Sequence, residues 1–209
     1  MKFGEKMNRK TKSIGLLSLA IIILIILVKT NLIAVFDSAI YNLLTANMND
    51  GLTNIFKSIT FFGDEAFIIP AIVLSVIIGV ILKKIRSGAI VAIFVMVNDF
   101  IKALFKLIIQ RPRPEILQLV QEGGFSFPSG HTMAAASLSG ILIYLILKSG
   151  MDKNLKIVLT SILALMALLV GLSRIYLGVH YASDVLGAFI ISSILLLILI
   201  SINEKKGFF

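Results

Sequence analysis

The 209-residue chain carries 20 Lys and Arg against 11 Asp and Glu, for a formal charge of +9. It is 58% hydrophobic, with a mean hydropathy of +1.01. A water-soluble domain cannot hide that much apolar side chain, so lipid is the solvent for most of the surface and an all-α, polytopic membrane helical bundle is expected. Cysteine is absent, which excludes disulfides and thiol catalysis; no Gly/Ser or Pro-rich tract marks a linker, so residues 1–209 are expected to form one domain.

In chain order, apolar runs near the ~20 residues a bilayer requires predict about six transmembrane helices. They are Ile14–Val35, Asp64–Leu82, Ser87–Ile109, Ser129–Leu147, Leu155–Leu172 and Ser183–Ile202. The first run is too long for a signal peptide and lacks a small-residue cleavage site, so it is expected to remain as an anchor. Between the first two spans, Phe36 to Phe62 is too polar to cross. It places Ile40, Leu43, Leu44 and Met48, then Leu52, Ile55, Phe56 and Ile59, at helical spacing, which predicts two short interfacial helices broken at Asp50-Gly51.

The positive charge is a topology signal rather than a nucleic-acid footprint. Lys2, Lys6, Arg9, Lys10 and Lys12 precede the first span, Lys83, Lys84 and Arg86 fill the second connection, Lys148, Lys153 and Lys156 the fourth, and Lys205 and Lys206 follow the last. With six spans all lie on one side, which the positive-inside rule makes cytoplasmic, with both termini. Asp37, Asp50, Asp64, Glu65, Glu115 and Glu122 fall on the opposite side.

Three outward clusters carry the residues that are costly beside hydrocarbon. Lys106 closes the third span about one turn (~5.4 Å) before its end, and Arg113, stiffened between Pro112 and Pro114, follows it. An ammonium and a planar guanidinium together suit phosphate oxygens, although either alone reads as a basic residue snorkelling to the interface. Pro128-Ser129-Gly130-His131 opens the fourth span, with Ser129 expected as N-cap and the free amides of the first turn forming an anion cradle. Gly130 leaves that approach clear, and His131 beside an anion suits a proton donor. Ser173-Arg174 ends the fifth span, Gly178 supplies a tight connection, and His180 and Asp184, four residues apart, are expected to stack on a helix with Cβ atoms ~5–6 Å apart. Such a carboxylate takes one imidazole proton and presents the other nitrogen's lone pair. Elsewhere, Asp99 and Lys102 are expected to pair beneath Lys106, Pro70 to kink the second span, Lys29 and Lys57 to snorkel, and Asp64 and Asp152 to cap helices.

In order and spacing the clusters resemble the type 2 phosphatidic acid phosphatase family, which shares its site with vanadium-dependent haloperoxidases. Lys106, six residues, then Arg113-Pro114 is similar to its first motif, Pro128-Ser129-Gly130-His131 to its second, and Ser173-Arg174, five residues, His180, three residues, Asp184 to its third. No motif position departs, and the motif-bearing core spans 102–184. The resemblance implies that His180 is a nucleophile oriented by Asp184, that His131 protonates the leaving oxygen, and that Lys106, Arg113, Ser129, the Gly130 amide and Arg174 hold the phosphate. It implies a lipid phosphate phosphatase working through a phosphohistidine. No cofactor and no metal are expected, since no acidic pair of metal-ligand type lies near the clusters.

The expected partners are a lipid phosphate substrate and membrane lipids, with no nucleic acid and no obligate protein partner. Phosphatidylglycerophosphate, undecaprenyl pyrophosphate and phosphatidic acid all suit the family. A carrier or flippase would use the cations but leave both histidines idle, and a haloperoxidase is disfavoured because those relatives are soluble.

Overall fold

The computed structural model describes residues 2–207, and the side chains of residues 9–207. Lys2 and Lys6, counted above in the basic N-terminal run, lie outside the described side chains. The elements are α1 (Lys2–Lys29), α2 (Ala34–Thr45), α3 (Asp50–Thr60), a single 3-10 turn (Phe61–Gly63), α4 (Glu65–Ile81), α5 (Ile85–Ile109), α6 (Gly130–Lys148), α7 (Lys153–Tyr176) and α8 (Ala182–Lys206). Five of these are long and apolar enough to cross a membrane. The apolar α4 has 17 residues and reaches that length only when joined to α3 and the turn, which bend 42° from it, so the spans number five, or six with that bent pair. The protein is therefore an all-helical, multi-pass membrane bundle, as the apolar runs required.

Large aliphatic side chains stand exposed along the outside of the spans, among them Leu16, Ile22, Val80 and Ile108. Inside, α1 packs on α8 through Ile21, Leu24, Val28, Ala188 and Ile191, and α4, α5 and α6 meet at Ile68, Val91, Phe94, Leu138 and Ile141. A bundle in lipid is apolar on both faces, and buried side chains differ from exposed ones by close packing rather than polarity.

The helices α7 and α8 run on past the expected ends at Leu172 and Ile202, to Tyr176 and Lys206, and two breaks nearer the N-terminus fall elsewhere than expected. The first span stops at Lys29 rather than Val35: Thr30 Oγ1 donates back to Ile26 O at 2.8 Å, and Asn31 takes a left-handed conformation (φ 58°) that ends α1. The break between the interfacial helices precedes Asp50-Gly51. Asn49 is the N-cap of α3, its Oδ1 accepting from Leu52 N–H at 2.9 Å, so Asp50 sits in the first turn near the positive helix end.

The two interfacial helices lie against the end of α7 and the start of α8. Ile40, Tyr41 and Leu44 of α2 cover Ile175, Ala182 and Val185, while Met48, Leu52 and Phe56 cover Tyr176, Leu177 and Val179. Phe56 stacks on Tyr176 at 4.3 Å, and Thr53 Oγ1 is 2.9 Å from Tyr176 Oη. Leu43 and Ile55, expected on the same apolar faces, are exposed instead.

The caps expected at Asp64 and Asp152 form, Asp64 Oδ1 accepting from Ala66 N–H at 2.8 Å and Asp152 Oδ1 from Asn154 N–H at 2.8 Å. Lys29 does more than snorkel. Its Nζ donates to Ile109 O at 2.6 Å and closes the carbonyl end of α5, where Gln110 is left-handed (φ 52°) and turns the chain out of the helix.

Candidate active site

Residues from all three clusters line one cleft of about 850 Å³ at the α2/α3 end of the bundle: Lys106, Arg113, Gly130, His131 and His180. Arg174 and Asp184 stand behind this wall, 1% and 0% exposed. Ser129 is also fully buried, so of the expected phosphate ligands it and Arg174 are set back from the opening.

His180 does not stack on a helix with Asp184. It belongs to the connection between α7 and α8, where Gly178 (φ +74°) turns the chain. Asp184 sits in the first turn of α8 and accepts from Tyr181 N–H at 2.9 Å. The two groups still meet, because the capping carboxylate faces back along the chain: Asp184 Oδ2 is 3.5 Å from His180 Nδ1, an ion-pair contact that leaves the buried Nδ1 without a hydrogen-bond partner among the described residues. On the other ring nitrogen, Arg113 Nη1 lies 3.3 Å from His180 Nε2. A guanidinium has only protons to offer, so Nε2 must carry the lone pair and Nδ1 the proton, facing the carboxylate. Burial pushes the His180 pKa from 6.5 down to about 4; Asp184 offsets part of that and Arg174 and Arg113 add to it. The imidazole is neutral at physiological pH.

Arg113 is itself fixed by its fork. Nε donates to Gly124 O at 3.1 Å, Nη2 to Gly123 O at 2.7 Å and Nη1 to Val179 O at 2.9 Å. The prolines stiffen the chain around it, and Ser126 Oγ donates to Pro112 O at 2.9 Å to close the loop. Lys106 lines the cleft and makes no hydrogen bond or ion pair among the described residues. One turn before it, Lys102 pairs with Asp99, as expected.

Ser129 occupies the N-cap position of α6 but does not cap it: its hydroxyl is 2.8 Å from Thr132 Oγ1, and its N–H donates to Asp184 O at 3.2 Å. That backbone bond ties the second cluster to the third. A Cβ added at Gly130 would come no nearer than 3.3 Å to Lys102 Cδ, the middle of a flexible chain, so interior packing does not demand glycine there. Gly63 is different, since a Cβ would fall 2.7 Å from His131 O and fix the turn hard against the first turn of α6.

Three charged residues escaped the sequence reading as site residues. Glu122, on the long connection between α5 and α6, bonds Arg174 Nη2, lies 3.7 Å from Arg113 Nη2 and 3.8 Å from His131 Nδ1. Burial alone would raise its pKa, but Arg174, His131 and Arg113 outweigh that and hold the carboxyl below its ordinary range. It is the counter-anion of the cation cluster. Asp64 faces His131 from the other side, Oδ2 to Nε2 at 3.4 Å. Arg111 joins Asp184 to Asp37, with Nη1 2.6 Å from Asp184 Oδ1 and Nη2 2.7 Å from Asp37 Oδ2. Arg111 stands two residues before Arg113, and nothing in the motif spacing singles it out.

This arrangement places a neutral imidazole with an outward lone pair, a second imidazole and the cations Lys106 and Arg113 on one cleft, with Arg174 behind them. Comparison with known proteins gives the family. The family model described as PAP2 superfamily matches residues 66–208. Phosphatidylglycerophosphatase B of Bacillus subtilis (strain 168) is 34% identical over 194 residues, which is 90% of this chain and 94% of that protein. Phosphatidylglycerophosphatase B of Haemophilus influenzae is 34% identical over 89 residues, 42% of this chain and 36% of its own length. Among solved structures, the transmembrane PAP2 type phosphatidylglycerolphosphate phosphatase from Bacillus subtilis superposes with a TM-score of 0.85 at 31% identity, covering 92% of this chain and 96% of that one. Aquifex aeolicus LpxE shares the fold, with a TM-score of 0.62 at 24% identity over 78% of this chain and 92% of its own. From its motifs, its site and its match over residues 66–208, the chain belongs to the PAP2 superfamily.

Proposed function

We propose that this lipid phosphatase removes a terminal phosphate from a lipid phosphate or pyrophosphate through a phosphohistidine on His180, without a metal ion. The observation that carries the reading is the pair of contacts on His180: Arg113 Nη1 3.3 Å from Nε2 and Asp184 Oδ2 3.5 Å from Nδ1. Together they leave a lone pair facing the cations of the cleft.

In the first half-reaction the Nε2 lone pair forms a bond to phosphorus while the bond from phosphorus to the lipid's leaving oxygen breaks, and His131 gives that oxygen its proton. In the second, water attacks phosphorus and gives its proton to His131, and the P–N bond breaks to release inorganic phosphate. Phosphoryl transfer asks chiefly for positioning and for charge to meet the spreading negative oxygens. Lys106, Arg113, Arg174 and the Gly130 amide supply it, and Ser129 Oγ has a proton to spare when Thr132 Oγ1 donates to it. An incoming phosphate takes over the cations that Glu122 now neutralises.

A lipid substrate is favoured because Ile68, Ile69 and Ile72 of α4 and Met96 and Phe100 of α5 line the same cleft as the histidines. Phosphatidylglycerophosphate is the first substrate to test, in view of the activity named for the Bacillus and Haemophilus relatives; undecaprenyl pyrophosphate and phosphatidic acid complete the panel. The cleft is assigned to the outer leaflet and both termini to the cytoplasm. The basic connections support this, and so does the Lys10–Glu204 ion pair, which puts the two ends of the chain on one side of the bundle.

The test is phosphate release from this panel by purified protein in detergent with a chelator present, comparing wild type with His180→Ala. Wild type is expected to turn over undiminished by chelator, and the variant to lose at least about 10³-fold. Tight binding of lipid phosphates without release of phosphate from any of them would instead make the protein a carrier.

A further inference from the structure

Asp37 lies on α2, outside residues 66–208, and on the sequence it counts only among the acidic residues of the outward connections. Its carboxylate is nevertheless 3% exposed and ligated on both oxygens. Oδ1 accepts from Ser183 N–H at 2.8 Å, and Oδ2 accepts from Ser183 Oγ at 2.8 Å and from Arg111 Nη2 at 2.7 Å. The other end of the Arg111 fork donates to Asp184 Oδ1 at 2.6 Å, while the guanidinium stacks 3.8 Å over the Tyr181 ring.

Two carboxylates sharing one guanidinium in a dry site are weak evidence for stability, because desolvating three charges offsets most of their attraction. Their effect is directional and electrostatic. With Oδ1 held by Arg111 and Tyr181 N–H on Oδ2, the Asp184 carboxylate cannot rotate, and Oδ2 stays turned to His180 Nδ1. Arg111 alone would neutralise Asp184 one for one and weaken its hold on the imidazole proton. The second carboxylate leaves the trio with a net negative charge, which favours the positive charge that develops on His180 as it bonds to phosphorus. Neither Asp37 nor Arg111 reaches the cleft, so neither is placed to touch the phosphate.

We propose that Asp37 is a positioning residue for phosphoryl transfer, acting through Arg111 to hold Asp184 against His180. This rests on His180 being the nucleophile. It gives the interfacial helix α2 a part in the chemistry that the motif-bearing core does not contain.

The test is single-turnover hydrolysis of radiolabelled phosphatidylglycerophosphate with enzyme in saturating excess, in which the rate constant reports competent sites and is blind to any misfolded fraction. Asp37→Asn is expected to lower that rate constant by about ten-fold or more while the inhibition constant for vanadate stays within about two-fold. Arg111→Lys keeps the charge but loses the fork that spans two carboxylates, and the same loss is expected; it carries the test if Asp37→Asn fails to fold. An unchanged rate constant in whichever of these variants folds overturns the proposal while leaving His180 as nucleophile. Wild-type turnover by His180→Ala overturns both.

Discussion

At the scale of single residues, the site works by restricting what each group is able to do. Arg113 is held by three backbone carbonyls and still reaches His180 Nε2, a geometry that needs a planar fork. Arg113→Lys is therefore expected to lower kcat/KM by about 10²-fold although the charge is kept, measured on the best lipid of the panel. His180 carries a second consequence through its protonation. Its pKa is about 4 in the folded protein against 6.5 for the free group, so between those values the unfolded chain binds a proton that the folded one refuses. Stability is then expected to rise with pH across that window, by ~1.4 kcal/mol per unit from this residue, and to be lost as pH falls through it. Glu122, held below its ordinary range, acts in the same direction at the acid end. Unfolding midpoints of wild type and His180→Gln across this range check the sign: the variant is expected to show the shallower slope.

At the scale of elements, connections rather than helices carry His180 and Arg113, while Lys106, His131, Arg174 and Asp184 sit at helix ends. The residues from Leu177 to Tyr181 carry His180 between α7 and α8, and Leu119 N–H donates to Leu177 O at 3.0 Å to fasten the Arg113 loop onto them. Gly178 makes this approach possible: its φ is +74°, and a Cβ there would fall 2.2 Å from Leu117 O. Gly178→Ala must either abandon the left-handed turn or push the loop away, so a stability loss of about 2 kcal/mol is expected with a collapse of turnover, since His180 and Arg113 would separate. Thermal unfolding and phosphate release measured together check both parts. At the neighbouring end of α5, Lys29→Met is expected to cost about 1.5 kcal/mol by leaving the Ile109 carbonyl without its cation, with the single-turnover rate constant little changed.

At the scale of the whole molecule, the bundle has a basic end and an end that holds the candidate site, and the proposed orientation is directly measurable because the chain contains no cysteine. Asn47→Cys, exposed between α2 and α3, is expected to react with a membrane-impermeant maleimide added to intact cells, and Lys84→Cys to react only after the membrane is opened. The reverse pattern would invert the topology.

Much of this architecture was legible in the chain. Apolar runs of bilayer length announce spans whatever they pack against. Lys106, Arg113, His131, Arg174, His180 and Asp184 stand out because an ionisable group is costly beside hydrocarbon and is kept there chiefly where it acts. The misreadings have a common cause. The helical stacking assumed for His180 and Asp184, the break placed at Asp50-Gly51 and the end of α1 all turn on one or two dihedral angles, at Gly178, Asn49 and Asn31, which periodicity does not encode. The sequence by itself determined the solvent, the helices and the family of chemistry, because these follow from composition and from spacing within single segments. Only the tertiary structure decided which charge answers which: Asp37 meets Arg111 across 74 residues, and Glu122 meets Arg174 across 52. In a medium that solvates an unpaired ion so poorly, those partnerships are settled when the helices pack, and no local pattern records them.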